Sequence, residues 1–331
     1  MGTPDTTAAV GLDVSKDTLD ACRLHPDGTT RHEVFPNTPP GFAALDAWAD
    51  RHADGHPLHF ACEATGPYSA GIAQFLHAAG RTVSVVNPTR IKHAGLMRGR
   101  GNKTDKADAR LIAEYTARER PPAWTPPPPD VQELQALVRR ADELTELAAR
   151  EKGRLASPAL SRATKTSVER TVRFLEREAA KVRAAADAVV AASERLAADR
   201  RLLETIPGVG RQTATTVLAE LPPVERLPSA QAAAAYCGLA PAEFKSGSSV
   251  RKRTRLSKRG NARLRKALFL PTQTAVRFNP VLTGFFERLV RAGKPKMQAI
   301  GACMRKLVML CYGVLKNRTP FDPTWASRIA T

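Results

Sequence analysis

Short apolar runs separated by polar turn residues dominate the N-terminal part of the chain. Residues 8–24 alternate around a turn and predict two strands, and three more strands are predicted at His32–Phe35, Leu58–Cys62 and Thr82–Val86. Apolar residues recur at helical spacing in three further segments: Gly41–Asp50, Ser69–Ala79 and residues 105–118. This mixture of strands and helices predicts an α/β sheet domain in residues 1–120.

A proline-rich segment follows this domain. Residues 121–130 read PPAWTPPPPD, and six prolines in ten positions fit neither a helix interior nor a central strand. The segment is therefore predicted to be a stiff, extended linker of the polyproline II type.

Two long helices are predicted after the linker, in residues 131–200. Apolar residues recur there at intervals of three and four between charged residues, as in the heptads of a coiled coil. A break near residues 153–158 predicts an antiparallel helical hairpin, which either pairs within one chain or serves as a dimer arm. The remaining residues, 201–331, predict a mostly α-helical C-terminal domain.

The net charge narrows the classes of partner. The 331 residues include 51 Lys and Arg but only 32 Asp and Glu, a formal net charge of +19. This surplus favours nucleic acid over a membrane surface, because the sequence lacks a basic amphipathic anchor. Neither a membrane span nor a secretory signal is predicted, and the five scattered cysteines match no disulfide framework or zinc spacing. We therefore expect a cytoplasmic protein without a membrane partner.

Four carboxylates lie at predicted strand ends and at a predicted helix start, the positions at which an α/β domain commonly forms its ligand-binding site. Asp13 and Glu63 each interrupt an apolar strand, and Asp105 and Asp108 lie three apart at a helix start. Carboxylates gathered together repel one another unless cations join them, and Mg²⁺ is the usual oxygen-ligated ion beside phosphates. Two such ions would serve phosphoryl transfer. Taken alone, each acid is also consistent with a solvated charge or a helix N-terminal acid.

Basic and glycine-containing segments predict nucleic-acid contacts. Lys103 lies in a glycine-rich basic loop, and Gly208 and Gly210 lie in a turn that resembles a helix-hairpin-helix phosphate site, with a plain helix–helix turn as the alternative. Residues 245–266 contain ten Lys or Arg and no acid, so they are expected to meet a polyanion or remain solvated. The contacts predicted there are Arg251, Lys252, Arg253, Arg255, Lys258, Arg259 and Arg263.

Several of these segments together resemble one known family. GLDVSKDTLD, ACEATGPYS and NKTDKADARLIAEY are similar to the three acidic motifs of the insertion sequence 110 transposases. LLETIPGVG, the segment from AAYCGLAP to RKALF, and MRKLVMLCYGVLKN resemble the C-terminal domain of that family. The resemblance covers residues 8–323. It implies a RuvC-like, ribonuclease-H-type fold at the N-terminus, with an Asp-Glu-Asp-Asp quartet that falls on the four acids named above.

The resemblance also implies a C-terminal serine that becomes covalently joined to DNA. Ser246 keeps the Ser-Gly step of the relatives and is taken as the nucleophile, with Ser248 and Ser249 as alternatives. From composition alone, serines in a basic loop are more often phosphate contacts. The family further implies an element-encoded noncoding RNA that pairs with donor and target DNA. It also implies a homo-oligomer, a dimer or tetramer, whose active sites combine residues of different subunits.

The sequence therefore predicts a Mg²⁺-dependent DNA recombinase that moves its own insertion sequence and associates with the bacterial nucleoid. One alternative is a metal-dependent nuclease or junction resolvase that uses water instead of a serine. The other is a nucleic-acid-binding protein without enzymatic activity.

Overall fold

The computed structural model describes residues 7–53, 55–64, 66, 68–97, 104–246 and 250–324, with the side chains of residues 243–254 left out. The chain divides into two compact units, Met1–Pro126 and Pro127–Thr331. The division falls within residues 121–130, the segment that the sequence predicts to be a linker.

The first unit is built on a five-stranded sheet. Its strands are β1 Ala8–Val14, β2 Thr18–Leu24, β3 Thr30–Pro36, β4 Leu58–Glu63 and β5 Thr82–Val86. They lie in the order β3-β2-β1-β4-β5, with β1, β2 and β3 antiparallel and β1, β4 and β5 parallel. The expected α/β, ribonuclease-H-type architecture is thereby confirmed.

Four helices accompany this sheet: α1 Pro39–Arg51, α2 Tyr68–Ala78, α3 Pro88–Met97 and α4 Asp105–Glu119. The sequence predicts three of them and misses α3. Only Ile91 and Gly95 of α3 are buried, so its apolar periodicity is weak.

The two faces of the sheet differ, because successive residues of a strand point to opposite sides. One face packs against α1 and α2 through large apolar side chains such as Leu12 and Phe60. The opposite face is built from small residues, Gly11 on β1 and its register partner Ala61 on β4. Helix α4 packs there so closely that a Cβ on Gly11 would lie 2.2 Å from the carbonyl oxygen of Ala109.

The second unit is mostly helical. Its helices are α5 Pro129–Arg154, α6 Arg162–Ala192, α7 Glu194–Glu204, α8 Arg211–Glu220, α9 Ala230–Tyr236, α10 Ala262–Ala267, α11 Phe269–Phe278, α12 Pro280–Arg291 and α13 Lys296–Asn317. Helices α5 and α6 form an antiparallel hairpin within the chain, since Lys152 pairs with Glu176 and Thr145 with Arg183.

Two antiparallel strands interrupt the helices: β6 Pro241–Ser246 and β7 Val250–Leu256. The sequence predicts a basic loop here. Lys and Arg occupy most positions of β7, so the sequence lacks the alternation of apolar and polar residues that would predict a strand.

The core of the second unit draws on both the hairpin and the C-terminal helices. Its fully buried side chains include Leu134, Leu203, Ile206, Leu239 and Leu307. Helix α13, 22 residues long, is apolar enough by composition to cross a membrane, but most of its apolar window is buried in this core. No other helix in the described part of the chain passes the same test.

Candidate active site and nucleic-acid interface

Asp13 and Glu63 lie side by side at the carboxyl ends of β1 and β4. The strands are parallel, and Leu12 pairs with Cys62 directly before the two acids. Asp13 and Glu63 therefore both point to the face of the sheet that α4 covers. Both are half-buried. Carboxyl ends of parallel strands are where open α/β sheets assemble ligand sites.

Asp105 and Asp108 lie at the start of α4, the helix that packs on the same face of the sheet. Thr104 caps α4 with its hydroxyl oxygen, which places both acids in the first helical turn. Asp108 directly precedes Ala109, whose carbonyl lies against Gly11 at the point where α4 crosses β1. Asp105 is exposed and lies three residues earlier on the same side of the helix.

The donors on this face suit a hard divalent cation, since carboxylate oxygens are the ligands that such ions prefer. Among the described residues, no three His, Cys, Asp or Glu side chains stand close enough to hold a metal ion. The backbone thus brings the four acids to one face without closing a ligand cage.

The neighbouring thiol of Cys62 is chemically inert. Burial, and secondarily the charge of Glu63, raise the pKa of Cys62 to about 12. The thiol therefore stays protonated at neutral pH, where only a thiolate would bind metal or attack a substrate. Cys62 also points to the opposite face of the sheet from Glu63.

A further acid, Asp20, borders this site and was missed from the sequence. Asp20 is the register partner of Asp13 across β1 and β2 and points to the same face. Its Oδ1 lies 3.0 Å from Nε2 of His32 on β3. The alternation of residues along β2 is the sequence signal that could have placed Asp20 beside Asp13.

The predicted nucleophile lies at the end of β6. The backbone of Ser246 pairs with that of Val250 at the start of β7. Several predicted contacts fall outside the described residues: Lys103, Ser248 and Ser249, together with the side chains of Ser246, Arg251, Lys252 and Arg253.

The glycine turn before α8 has two distinct parts. Gly208 has a φ of +98°, and a Cβ there would lie 2.5 Å from the Cβ of Ala275 on α11. Packing of the core therefore suffices to require this glycine. Gly210 caps α8 without a side-chain bond, so the first amides of that helix have no capping side chain.

Four of the predicted basic contacts are described with their side chains, and all four are exposed: Arg255, Lys258, Arg259 and Arg263. They extend from the end of β7 through the following turn into α10. The two basic residues that follow are engaged within the unit. Arg265 donates to the carbonyl of Cys237, and Lys266 pairs with Glu146.

A second basic surface lies between α12 and α13. Arg288, Arg291, Lys294 and Lys296 are exposed there, and none forms an ion pair with a residue that the structure describes. Arg288 and Lys306 both lie over the ring of Phe285, 5.3 and 5.1 Å from its centroid. The sequence-based prediction of contacts omitted this α12–α13 surface.

Comparison with known proteins identifies similar chains along nearly the whole length. Residues 10–164 match a family model described as transposase, and residues 200–287 match one described as transposase of the IS116/IS110/IS902 family. The pilin gene-inverting proteins of Moraxella bovis and Moraxella lacunata are each 33% identical over 316 residues, covering 95% of this chain and 97% of the relative.

Two further matches are partial. The 43.6 kDa protein of insertion element IS110 from Streptomyces coelicolor is 28% identical over 121 residues, which is 37% of this chain and 30% of that protein. The structure of T. thermophilus RuvC in complex with a Holliday junction substrate matches 34% of this chain and 96% of its own, at 18% identity and a TM-score of 0.26.

Proposed function

We propose that this chain, which belongs to the IS116/IS110/IS902 family of transposases, moves its own insertion sequence by serine attack on DNA at a Mg²⁺ site. As a member of that family it is a DNA recombination enzyme. The observation that supports the proposal is that Asp13 and Glu63 end adjacent parallel strands, on the sheet face against which α4, with Asp105 and Asp108 in its first turn, is packed.

In this mechanism the four carboxylates would hold the metal ions, which would orient the DNA phosphate. Asp13 and Glu63 approach from the strand ends, and Asp105 and Asp108 from the first turn of α4. Two Mg²⁺ ions would offset the repulsion among these acids and stabilise negative charge on the reacting phosphate.

Ser246 supplies the attacking oxygen, and it does so at the quartet of a different subunit of the oligomer. A new Oγ–P bond forms as the bond from phosphorus to one deoxyribose oxygen breaks. The serine proton passes to a carboxylate of the quartet, and the released sugar oxygen takes a proton from water. In the reverse step a sugar hydroxyl of the new partner strand attacks the phosphoserine and frees Ser246, so no ATP is consumed.

Recognition and assembly complete the proposal. An element-encoded noncoding RNA pairs with donor and target DNA and determines which sequence is recombined. The exposed cations at Arg255–Arg263 and on the α12–α13 surface bind phosphates. The subunits form a dimer or tetramer in the bacterial cytoplasm. The Moraxella relatives are named for inverting a gene, which requires the same cutting and rejoining of DNA.

The decisive experiment is a recombination assay with purified protein, element-derived RNA, donor and target DNA, and Mg²⁺. Asp13→Asn and Ser246→Ala are each expected to abolish recombination, and removal of divalent cations should do the same. Ser246→Ala should also abolish a covalent protein–DNA adduct. Asp17→Asn, an exposed acid of the β1–β2 turn, and Ser257→Ala are matched controls that should retain activity.

The alternative mechanism, a nuclease or resolvase that uses water, makes a different prediction in the same assay. It requires cleavage by Ser246→Ala at the parental rate and no adduct. If Ser248→Ala or Ser249→Ala loses the adduct while Ser246→Ala keeps it, the nucleophile is reassigned within the loop. Unchanged mobility with Asp13→Asn would favour a binding protein without enzymatic activity.

A further inference from the structure

The second unit contains a buried carboxylate that the proposed mechanism does not use. The side chain of Glu220, the last residue of α8, is only 1% exposed. Arg139 of α5 binds it with both arms of the guanidinium, Nε to Oε1 at 2.7 Å and a terminal nitrogen to Oε2 at 3.2 Å. Burial of the Glu220 carboxylate costs desolvation, which the bonds from the 40% exposed Arg139 side chain offset, so the value of the pair lies in the geometry that it imposes.

Asn261 is a third member of this cluster and links it to the chain that leaves β7. Its Nδ2 donates to Oε2 of Glu220 at 2.8 Å, and its Oδ1 accepts from the amide of Leu264 at 3.0 Å, which caps α10. Its backbone amide donates to the carbonyl of Tyr236 at 2.7 Å. Asn261 therefore ties α8, α9 and α10 together at one point.

The turn that follows β7, residues 257–261, also joins the segment that leaves the β6–β7 hairpin to the segment that enters it. Ser257, just after β7, donates its amide to the carbonyl of Ala240, just before β6, at 2.8 Å. Lys258 likewise donates to the carbonyl of Gly238 at 3.0 Å. Gly260 has a φ of +143°, and a Cβ there would lie 2.2 Å from the carbonyl oxygen of Tyr236. The entering and leaving segments are thus held in tight backbone contact.

We propose that Asn261 and Glu220 are positioning residues, which hold the base of the β6–β7 hairpin and so set the direction from which Ser246 meets the scissile phosphate. This inference rests on the proposed function. The backbone of Ser246 ends β6, so a change at the base of the hairpin would shift the backbone that carries the nucleophile. A displacement of about 1 Å in an attacking group can cost on the order of 100-fold in rate.

The obvious objection is that Asn261 merely caps α10. Asn261→Ser separates the two roles, because a serine still caps a helix but cannot reach Glu220. Asn261→Asp also retains a cap but turns a carboxylate toward the buried carboxylate of Glu220. We expect a larger defect from Asn261→Asp than from Asn261→Ser.

Asn279 provides the matched control. It caps α12 in the same unit through its Oδ1, and its buried Nδ2 has no hydrogen-bond partner among the described residues. Asn279→Ser therefore removes the same atoms from a fully buried cap without breaking a link to the hairpin. It controls for the loss of the amide group at a buried helix cap.

The test combines hydrogen exchange and adduct formation in the full-length protein. In Asn261→Ser we expect faster amide exchange in β6 and β7 and a rate of protein–DNA adduct formation lowered by about 10- to 100-fold, with unchanged affinity for DNA. Asn279→Ser should leave both readouts at parental values. Equal exchange of the hairpin amides, or equal adduct rates, in the two variants would overturn the positioning role.

The two proposals fail in distinguishable ways. Hydrogen exchange is measured without DNA. It therefore tests whether the β6–β7 hairpin is anchored at its base, independently of which residue is the nucleophile. Normal recombination by Ser246→Ala would remove the serine mechanism while leaving the exchange result intact. Unchanged exchange in Asn261→Ser would remove the positioning role while leaving the serine mechanism intact.

Discussion

Gly11 shows how one residue controls the placement of the carboxylates. Its α-carbon lies where α4 crosses β1, and an added Cβ would stand 2.2 Å from both the carbonyl oxygen of Ala109 and the amide nitrogen of Ala113. Both atoms belong to the helix backbone, so they cannot move aside as a flexible side chain would. Any larger residue must therefore displace α4 and, with it, Asp105 and Asp108.

Gly11→Ala should consequently lower stability and activity together. Overpacking of this kind typically costs about 1–3 kcal/mol, which chemical denaturation of the purified protein can measure. Recombination should fall further than the loss of folded protein explains, because two of the four acids are displaced. Gly153→Ala is the control, since no atom lies within 4 Å of the Cβ it would add. Normal stability in Gly11→Ala would contradict the close packing.

The individual acids differ in how far the sequence could reveal them. Asp13 and Glu63 stand out because a carboxylate at the end of an apolar strand is costly unless it has a partner. Asp20 does not end an apolar strand, so the sequence does not single it out. Only the pairing of β1 with β2 places it opposite Asp13. The requirement for glycine at position 11 depends on Ala109, which is remote in the chain and adjacent only after folding.

At the level of elements, strong periodicity made the long helices predictable. The α5–α6 hairpin follows from apolar residues repeating along both segments, and its break, between Arg154 and Arg162, overlaps the predicted residues 153–158. The β6–β7 hairpin escaped prediction because basic residues occupy both faces of β7. Its strands are held instead by backbone contacts at their base, which involve Gly238 and Gly260.

Small residues in the α5–α6 seam lead to a further prediction. Ala179 is 2% exposed in α6, and Ala141 and Ala148 are equally small and buried in α5. Close approach of the two helices leaves no room for a longer side chain. Ala179→Leu should therefore destabilise the unit by about 1–3 kcal/mol, measured as the free energy of unfolding in denaturant.

The adjacent residue supplies the control for this substitution. Ala180 is exposed on the same helix, so Ala180→Leu adds the same atoms without entering the seam. It should change stability little, because alanine and leucine both favour helices. Similar losses in the two variants would contradict close packing of α5 on α6.

For the whole molecule, the excess of basic residues sets the strength of nucleic-acid binding but leaves its sequence preference open. The net charge of +19 attracts any polyanion, since contacts with phosphates carry no base information. Contacts with base edges, or the proposed pairing with a guide RNA, would have to supply the choice of target. The net charge was readable from composition, whereas the position of Arg288 and Lys306 over the ring of Phe285 is known only from the structure.

Salt dependence tests whether that surface binds DNA. The double variant Arg291→Gln and Lys294→Gln removes two exposed cations that have no ion-pair partner among the described residues. If both contact phosphates, the slope of log K against log salt should become shallower by about 0.9 per lost contact.

The control is Arg140→Gln with Lys181→Gln, which removes the same net charge from cations paired with Glu143 and Glu178. Filter binding across a salt series measures both slopes. Equal slopes in the two double variants would mean that net charge alone, rather than the α12–α13 surface, attracts the DNA.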